Sequence, residues 1–276
     1  AVGKTVLCYG GQWLLERLQV FSGDIAIATP YIYTQGSSCD NRQSSNEDLC
    51  ARLLRGPDPE AFVNVTFDFL LVANRSLVLE PAAQVYAASM MFCSRESAEF
   101  QNRSIADASG RGCEAGRGVG AGETRNPLYK VCGAGGGSHV GAGGFGTTWS
   151  YLRQTACAVP GGKYDDTDNF VVLPTVGASG GGCGVSNRSC DEQLSVDQRP
   201  SAGGGLIWVS TGKLTMQAGV RMLANGNPGQ NMKVDPGSKR SDTTASAGGA
   251  GGQILVFAKV FAAPSSRNPV SIEAAG

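Results

Sequence analysis

The chain has 276 residues, with 23 basic and 23 acidic side chains and one histidine. A balanced charge excludes a nucleic-acid binder built on a basic face, and no Lys/Arg run marks a membrane-surface segment. Forty glycines, about twice the usual ~7% share, and nine cysteines point away from a helical domain and toward an all-β chain with glycine-rich loops.

In chain order, residues 1–36 hold a short helical candidate, Trp13 to Leu18, and then three alternating pairs: Leu18 and Val20, Ile25 and Ile27, Tyr31 and Tyr33. The chain opens Ala1-Val2-Gly3 without Met, so a segment of a longer or processed product is expected. Residues 37–60 are polar, hold two cysteines and read as a loop; with the first rung they make the N-terminal part, 1–60. Residues 61–109 carry the cleanest strands, Phe62 to Phe67 and then a rung of apolar alternation. The longest apolar run, Phe67 to Leu79, is interrupted by Asp68, Asn74, Arg75 and Ser76, so no helix here spans a bilayer. Residues 110–205 form a glycine-rich insert, and 33 of the 40 glycines lie between Gly110 and Gly252. Residues 206–276 return to alternating strands around a polar excursion at 227–247.

The strands recur. A shift of 137 positions lays Leu70, Val72, Leu77, Leu79, Val85 and Ala87 on Ile207, Val209, Leu214, Met216, Met222 and Ala224. A shift of 47 lays Ile254 and Val256 on Ile207 and Val209, and Val270, Ile272 and Ala274 are expected to repeat the second strand, leaving a third strand missing. These apolar positions suit a narrow dry interior, with parallel strands of successive rungs ~4.8 Å apart. Thr211-Gly212, Ala218-Gly219 and Asn225-Gly226 supply turns that tolerate positive φ. Recurring short strands joined by tight turns predict one solenoid domain over 1–276, an all-β right-handed parallel β-helix with long glycine-rich, disulfide-closed loops. A β-sandwich is the alternative, and it leaves the repeat unexplained.

The cysteines include no CxxC pair, and with one histidine the usual zinc spacings are missing. Spacing suggests loop staples: Cys39 with Cys50, Cys183 with Cys190, Cys93 with Cys113, and Cys132 with Cys157. Cys8 is left over, free or bonded to another chain. Four N-x-S/T acceptor sites, at Asn64, Asn74, Asn102 and Asn187, join the cysteines in predicting a secreted or cell-surface glycoprotein carrying N-linked glycans.

The run Gly133 to Gly146, GAGGGSHVGAGGFG, resembles the GGG-x-H-x-G-x-GG segment of large glycine-rich surface proteins from protists, plants and some bacteria. Gly161-Gly162-Lys163-Tyr164-Asp165, Pro174 to Gly182, Gly203 to Ile207, Ala224-Asn225-Gly226 and Gly248 to Gly252 follow in the order of that family. The resemblance covers Gly133 to the end, departs at Val140 and in its cysteines and acceptor sites, and implies a secreted β-helix with a structural or adhesive role. It carries no catalytic residues to this chain.

Other constellations are weaker. His139, alone among glycines, is expected to bond nearby backbone rather than to serve as base or ligand. Asp165, Asp166 and Asp168 read first as a solvated turn, then as a calcium site, and last as carboxylates of a polysaccharide-cleaving enzyme. The Gly116 to Gly122 run lacks the GK[ST] of a phosphate loop; its glycines are expected to let backbone approach backbone, in extended polyglycine-like strands or tight turns. Tyr86, Trp149, Tyr151 and Trp208 are the candidate exposed aromatics, with Tyr86 and Trp208 on the outward phase. The expectation is therefore a non-enzymatic structural subunit of a filament, sheath or appendage. Its partners are copies of itself, with no nucleic acid and no membrane span, and calcium is the only cofactor considered. The alternatives are a carbohydrate-active enzyme and an adhesin or lectin.

Overall fold

Period-two alternation of apolar residues sets the strands of this chain's core in two parallel sheets that share one interior. The computed structural model describes residues 4–7, 12–15, 18–28, 31–34, 49–55, 67–118, 120–122, 134–137, 146–150, 153–158, 179–181, 201–229, 231–233, 243–245, 247–263 and 269–276. The first layers are β1 (Lys4–Leu7), β2 (Gln12–Leu15), β3 (Leu18–Ile27) and β4 (Tyr31–Thr34), followed by α1 (Leu49–Arg55). Then come β5 (Phe69–Leu79), β6 (Gln84–Tyr86), β7 (Ser89–Ser94), β8 (Ser97–Phe100) and β9 (Ile105–Asp107). A hairpin, β10 (Gly146–Ser150) with β11 (Arg153–Ala158), precedes β12 (Leu206–Met216) and β13 (Arg221–Leu223). A second hairpin, β14 (Asn231–Lys233) with β15 (Thr243–Ala245), precedes β16 (Gln253–Ala262) and β17 (Ser271–Glu273). The first sheet runs β1-β3-β5-β7-β12-β16, with β8 between β5 and β12; the second runs β2-β4-β6-β9-β13-β17.

The right-handed parallel β-helix expected from the repeats is corrected by this pairing. β5 pairs β7, β7 pairs β12, β12 pairs β8 and β8 pairs β5, which closes a four-strand parallel ring. Beside it lies a separate parallel sheet, and the two hairpins are antiparallel. The ring arises because one layer breaks at Arg95-Glu96, whose N–H groups donate to Ala73 and Arg75 carbonyls, so β7 and β8 each engage one half of β5 and of β12. Among the described residues the chain remains all-β apart from α1. Alternation foretells strands and a buried face, but not the circuit their pairings make.

The break also corrects the repeat. Leu77 aligns through Ala98 with Leu214, a shift of 137, whereas Leu71 aligns through Phe92 with Val209, a shift of 138. β12 is one residue shorter at the bend, where a Cβ on Gly212 would crowd the Glu96 and Arg95 carbonyls. A one-residue slip turns every side chain to the other face. Thus Phe69, Leu71 and Ala73 line the shared interior with Ile207 and Val209, while Leu70 and Val72, expected inside, lie on the outer face. Ile32 enters the interior from β4. The 47-residue shift holds, with Ile207 opposite Ile254 and Val209 opposite Val256. The third strand is present: β16 spans both halves of β12, and Ile272 of β17 stands opposite Met222.

Two local readings change as well. Trp13 to Leu15 and Leu18 are strand rather than helix, because pairing with β4 and β5 outweighs a short helical pattern. Within the expected loop, Leu49–Arg55 is helical and lays Cys50, Leu53 and Leu54 over Leu70, Met91 and Trp208 on the outer face of the first sheet. A disulfide joins Cys50 to Cys93 with Cα atoms 5.7 Å apart, so Cys50 does not pair Cys39, nor Cys93 with Cys113. The Phe62–Thr66 part of the expected strand lies outside the described residues, and Phe67 itself precedes β5.

At the corner between the sheets, three four-residue turns stack. Their third residues, Ala82 (φ 60°), Arg103 (φ 60°) and Gly219 (φ 72°), are all left-handed. Gly212 and Gly226 lack the positive φ expected of them.

Beyond the second sheet the glycines do something else. Segments at 108–118, 120–122, 134–137, 179–181, 201–205, 224–229, 247–252 and 274–276 lie outside any ladder and bond one another through backbone. Gly181 N–H donates to Ser201 (2.8 Å), Gly203 to Cys113 (2.9 Å), Gly204 to Ala250 (2.9 Å), Gly249 to Asn227 (2.9 Å) and Gly226 to Ala275 (2.7 Å). A Cβ on Gly204 would land on the Ala224 carbonyl oxygen, one on Gly249 on that of Ala202, and one on Gly252 on that of Gly205. Backbone packs on backbone here, as polyglycine-like segments require.

Candidate assembly surface

Stacked layers place like residues in columns, and the columns decide which surfaces are finished. On the inner face, Ile25, Leu77, Ala98, Leu214 and Phe261 form one column; Val20, Leu71, Phe92, Val209 and Val256 form another. In the second sheet, Ile32, Val85, Ala106, Met222 and Ile272 do the same. Each column is buried through its middle and emerges at β16 and β17, which among the described residues pair only with β12 and β13. Phe261 is 52% exposed and Ile272 47%, although both continue buried columns.

The outer face of β16 is equally open. Val260 is 53% exposed, and Phe257 is 44% exposed although its ring lies 5.4 Å from that of Trp208. Of the six large exposed apolar side chains among the described residues, five stand on β16 and β17, so this end is an apolar patch of the kind that marks contact surfaces. Full burial of each such side chain stabilises by about 1.5–3 kcal/mol, so covering the end is worth several kcal/mol. A row of unpaired parallel N–H and C=O groups adds a template for another strand. Polar groups frame it: Ser271 Oγ and Asn225 Nδ2 donate to the Glu273 carboxylate, and these bonds hold its pKa below the ordinary value.

The flanks differ from the end. Asn74 sits at the exposed bend of β5, and Asn102 in the exposed turn before β9. Both belong to inner layers with neighbours on each side; the Ala82 N–H donates to the Asn102 carbonyl (2.9 Å), and Asn102 N–H to Gln217 Oε1 (3.2 Å). Asn64 and Asn187 lie outside the described residues, as do Cys8, Cys39, Cys132, Cys183, Cys190, His139, Tyr151 and the candidate calcium ligands Asp165, Asp166 and Asp168. Cys113 is buried and disulfide-bonded, and Cys157 and Trp149 stand in the β10–β11 hairpin. Among the described residues no group of three or more His, Cys, Asp or Glu side chains could hold a metal ion, and no helix is long and apolar enough to cross a membrane.

Trp208 is corrected as an exposed aromatic. It is on the outward phase but only 2% exposed, roofed by α1 and met edge-on by Phe67 at 6.5 Å. The covering helix has a three-to-four-residue apolar spacing (Cys50, Leu53, Leu54), the signal that could have revealed it. Tyr86 is half-buried, with the Arg111 guanidinium 5.8 Å from its ring centroid. Among the residues whose side chains are described, the exposed aromatics are Phe21, Phe257 and Phe261, the last two on a strand read only for its repeat.

No family model, curated protein or solved structure matches this chain.

Proposed function

We propose that this chain is a structural extracellular glycoprotein, a non-enzymatic subunit that builds a filament, sheath or surface appendage by end-to-end contact between copies. The observation that carries this reading is the β16/β17 end, where inner columns stop half-exposed on parallel edges that no other described strand pairs. A heterologous contact at such an end propagates, whereas a side-to-side contact need not. The Cys50–Cys93 bond supports an oxidising address, and the exposed acceptor residues Asn74 and Asn102 support N-linked glycans. Glycans there would coat the flanks of inner layers and leave the ends free. The order of glycine motifs shared with glycine-rich surface proteins supports the same address.

The test is electron microscopy and analytical ultracentrifugation of natively purified protein, beside a Val260→Lys/Phe261→Lys variant. Wild type is expected to form linear particles, and the variant to sediment as a monomer with unchanged circular dichroism. Monomeric wild type at every concentration would overturn the proposal.

A further inference from the structure

We infer that the occupant of the β16/β17 end is the β1/β2 end of a second copy, joined by translation along the stack of layers. The inference rests on the assembly reading above and names its contact. Both sheets run in the same order, so among the described residues β1 and β2 stand outermost at one end and β16 and β17 at the other. One translation therefore continues both sheets at once. A two-fold junction between two β16 ends either reverses the strand direction or exchanges inner and outer faces. Translation preserves both, and every pairing within the two sheets is parallel.

The register follows from the columns. Thr5 stands opposite Ile25, so the column that ends at Phe261 begins at Thr5; Trp13 stands opposite Ile32, so the column that ends at Ile272 begins at Trp13. Across the junction, Phe261 of one copy meets the Thr5 position of the next, and Ile272 meets the Trp13 position. The size is adequate. Ten residues of β16 at ~3.3 Å each, across two sheets ~10 Å apart with their outer side chains, give roughly 600 Å² before the glycine segments are counted, near the ~800 Å² per partner of a stable interface.

Photo-crosslinking reads the register directly. Full-length protein carrying p-benzoyl-phenylalanine in place of Phe261 is mixed with an equal amount of ¹⁵N-labelled protein, irradiated and mapped by mass spectrometry. Crosslinks between copies that end within Lys4–Leu7 are expected. The same probe at Ile272 is expected to reach Gln12–Leu15, an independent readout should the first variant not assemble. Links between copies within Gln253–Ala262 would show two like ends meeting. Links confined to one chain would show that the chain covers its own edge, and links between copies at other segments would show a different contact. Each of these overturns the register while leaving assembly to be judged by ultracentrifugation. Monomers without links between copies would remove the assembly reading as well.

Discussion

The two-sheet body and the glycine segments are both stacks of backbone segments, but they are held together in opposite ways. In the sheets, side chains fill the space between backbones: Phe69, Phe92 and Phe100 pack with ring centroids 5.4–5.6 Å apart between the two sheets. In the glycine segments nothing fills it, because carbonyl oxygens of neighbouring segments occupy the places where Cβ atoms would sit. Apolar burial stabilises the first region. The second relies on inter-segment hydrogen bonds and close backbone contact, and glycine loses more conformational freedom on ordering than any other residue. The body should therefore tolerate altered volume, and the glycine segments should tolerate none.

The strongest way to break this contrast is Gly204→Ala. The new methyl would meet the Ala224 carbonyl oxygen and Gly252 nitrogen, both backbone, so no side chain can swing aside. We expect loss of about 3 kcal/mol or more, at or beyond the top of the usual overpacking range. Phe92→Leu, which removes several carbons from the middle of the sheet core, should cost only about 1–2 kcal/mol, below the loss seen for truncation to alanine. Urea unfolding of both variants decides it. A Gly204→Ala variant as stable as wild type would mean that the segments are not close-packed through backbone.

A smaller test separates glycines kept for space from those kept for φ. Gly219 faces only Arg103 atoms at 3.4 Å and beyond, so Gly219→Ala suffers from its φ of 72° rather than from crowding. It should lose about 1–2 kcal/mol. Arg103, in the same turn one layer away with φ 60°, should gain roughly 0.5–1 kcal/mol as Arg103→Gly. Opposite shifts in Tm, the larger at Gly219, would confirm that the stacked turns ask for the same conformation and that of these two layers only one carries the residue suited to it.

The same division explains what could be read from the sequence. Alternation exposed the strands, their parallel copies and most interior positions, because burial of one face leaves a period of two. It failed at Leu70 and Val72, where a bend one residue shorter in β12 than in β5 slips the phase; without a gap, alignment of 69–87 with 206–224 cannot reveal this. Glycine content suggested close backbone packing but not which segment lies beside which, since segments without side chains carry no code for partner or register. The Cys50–Cys93 bond escaped because α1 folds over a sheet whose middle layer comes forty residues later. The open end was partly legible. Ile254, Val256 and Ile272 were aligned with buried partners, but their exposure depends on what stacks above them, which is a property of the layer order.

The smallest effect tests polar links along the stack. Asp24 joins β3 to β5: Ser76 Oγ and Ser76 N–H donate to its Oδ1 at 2.7 and 3.2 Å, and Arg75 pairs with Oδ2. Hydrogen bonds from Ser76 and Arg75 favour its ionised form and lower its pKa below 3.8, while Ser271 and Asn225 lower that of Glu273 below 4.5. Because both folded values are depressed, the stabilisation is fully present above the ordinary values and is lost as pH falls through the folded ones. Tm measured between pH 7 and pH 2 should therefore drop on the acid side, and each of Asp24→Asn and Glu273→Gln should flatten part of that drop. Both links are near the surface, so added salt should shrink the difference. The comparison sharpens if the two variants differ: Asp24 ties two sheet layers, whereas Glu273 holds Asn225, whose Oδ1 accepts from Ala275 N–H at 2.7 Å where the chain enters the glycine segments. Loss of the Glu273 link should therefore loosen the last glycine segment first, seen as faster amide exchange at Ala275 with the sheet amides unchanged. Unchanged exchange at Ala275 in Glu273→Gln would show that the segment is held by backbone contact alone.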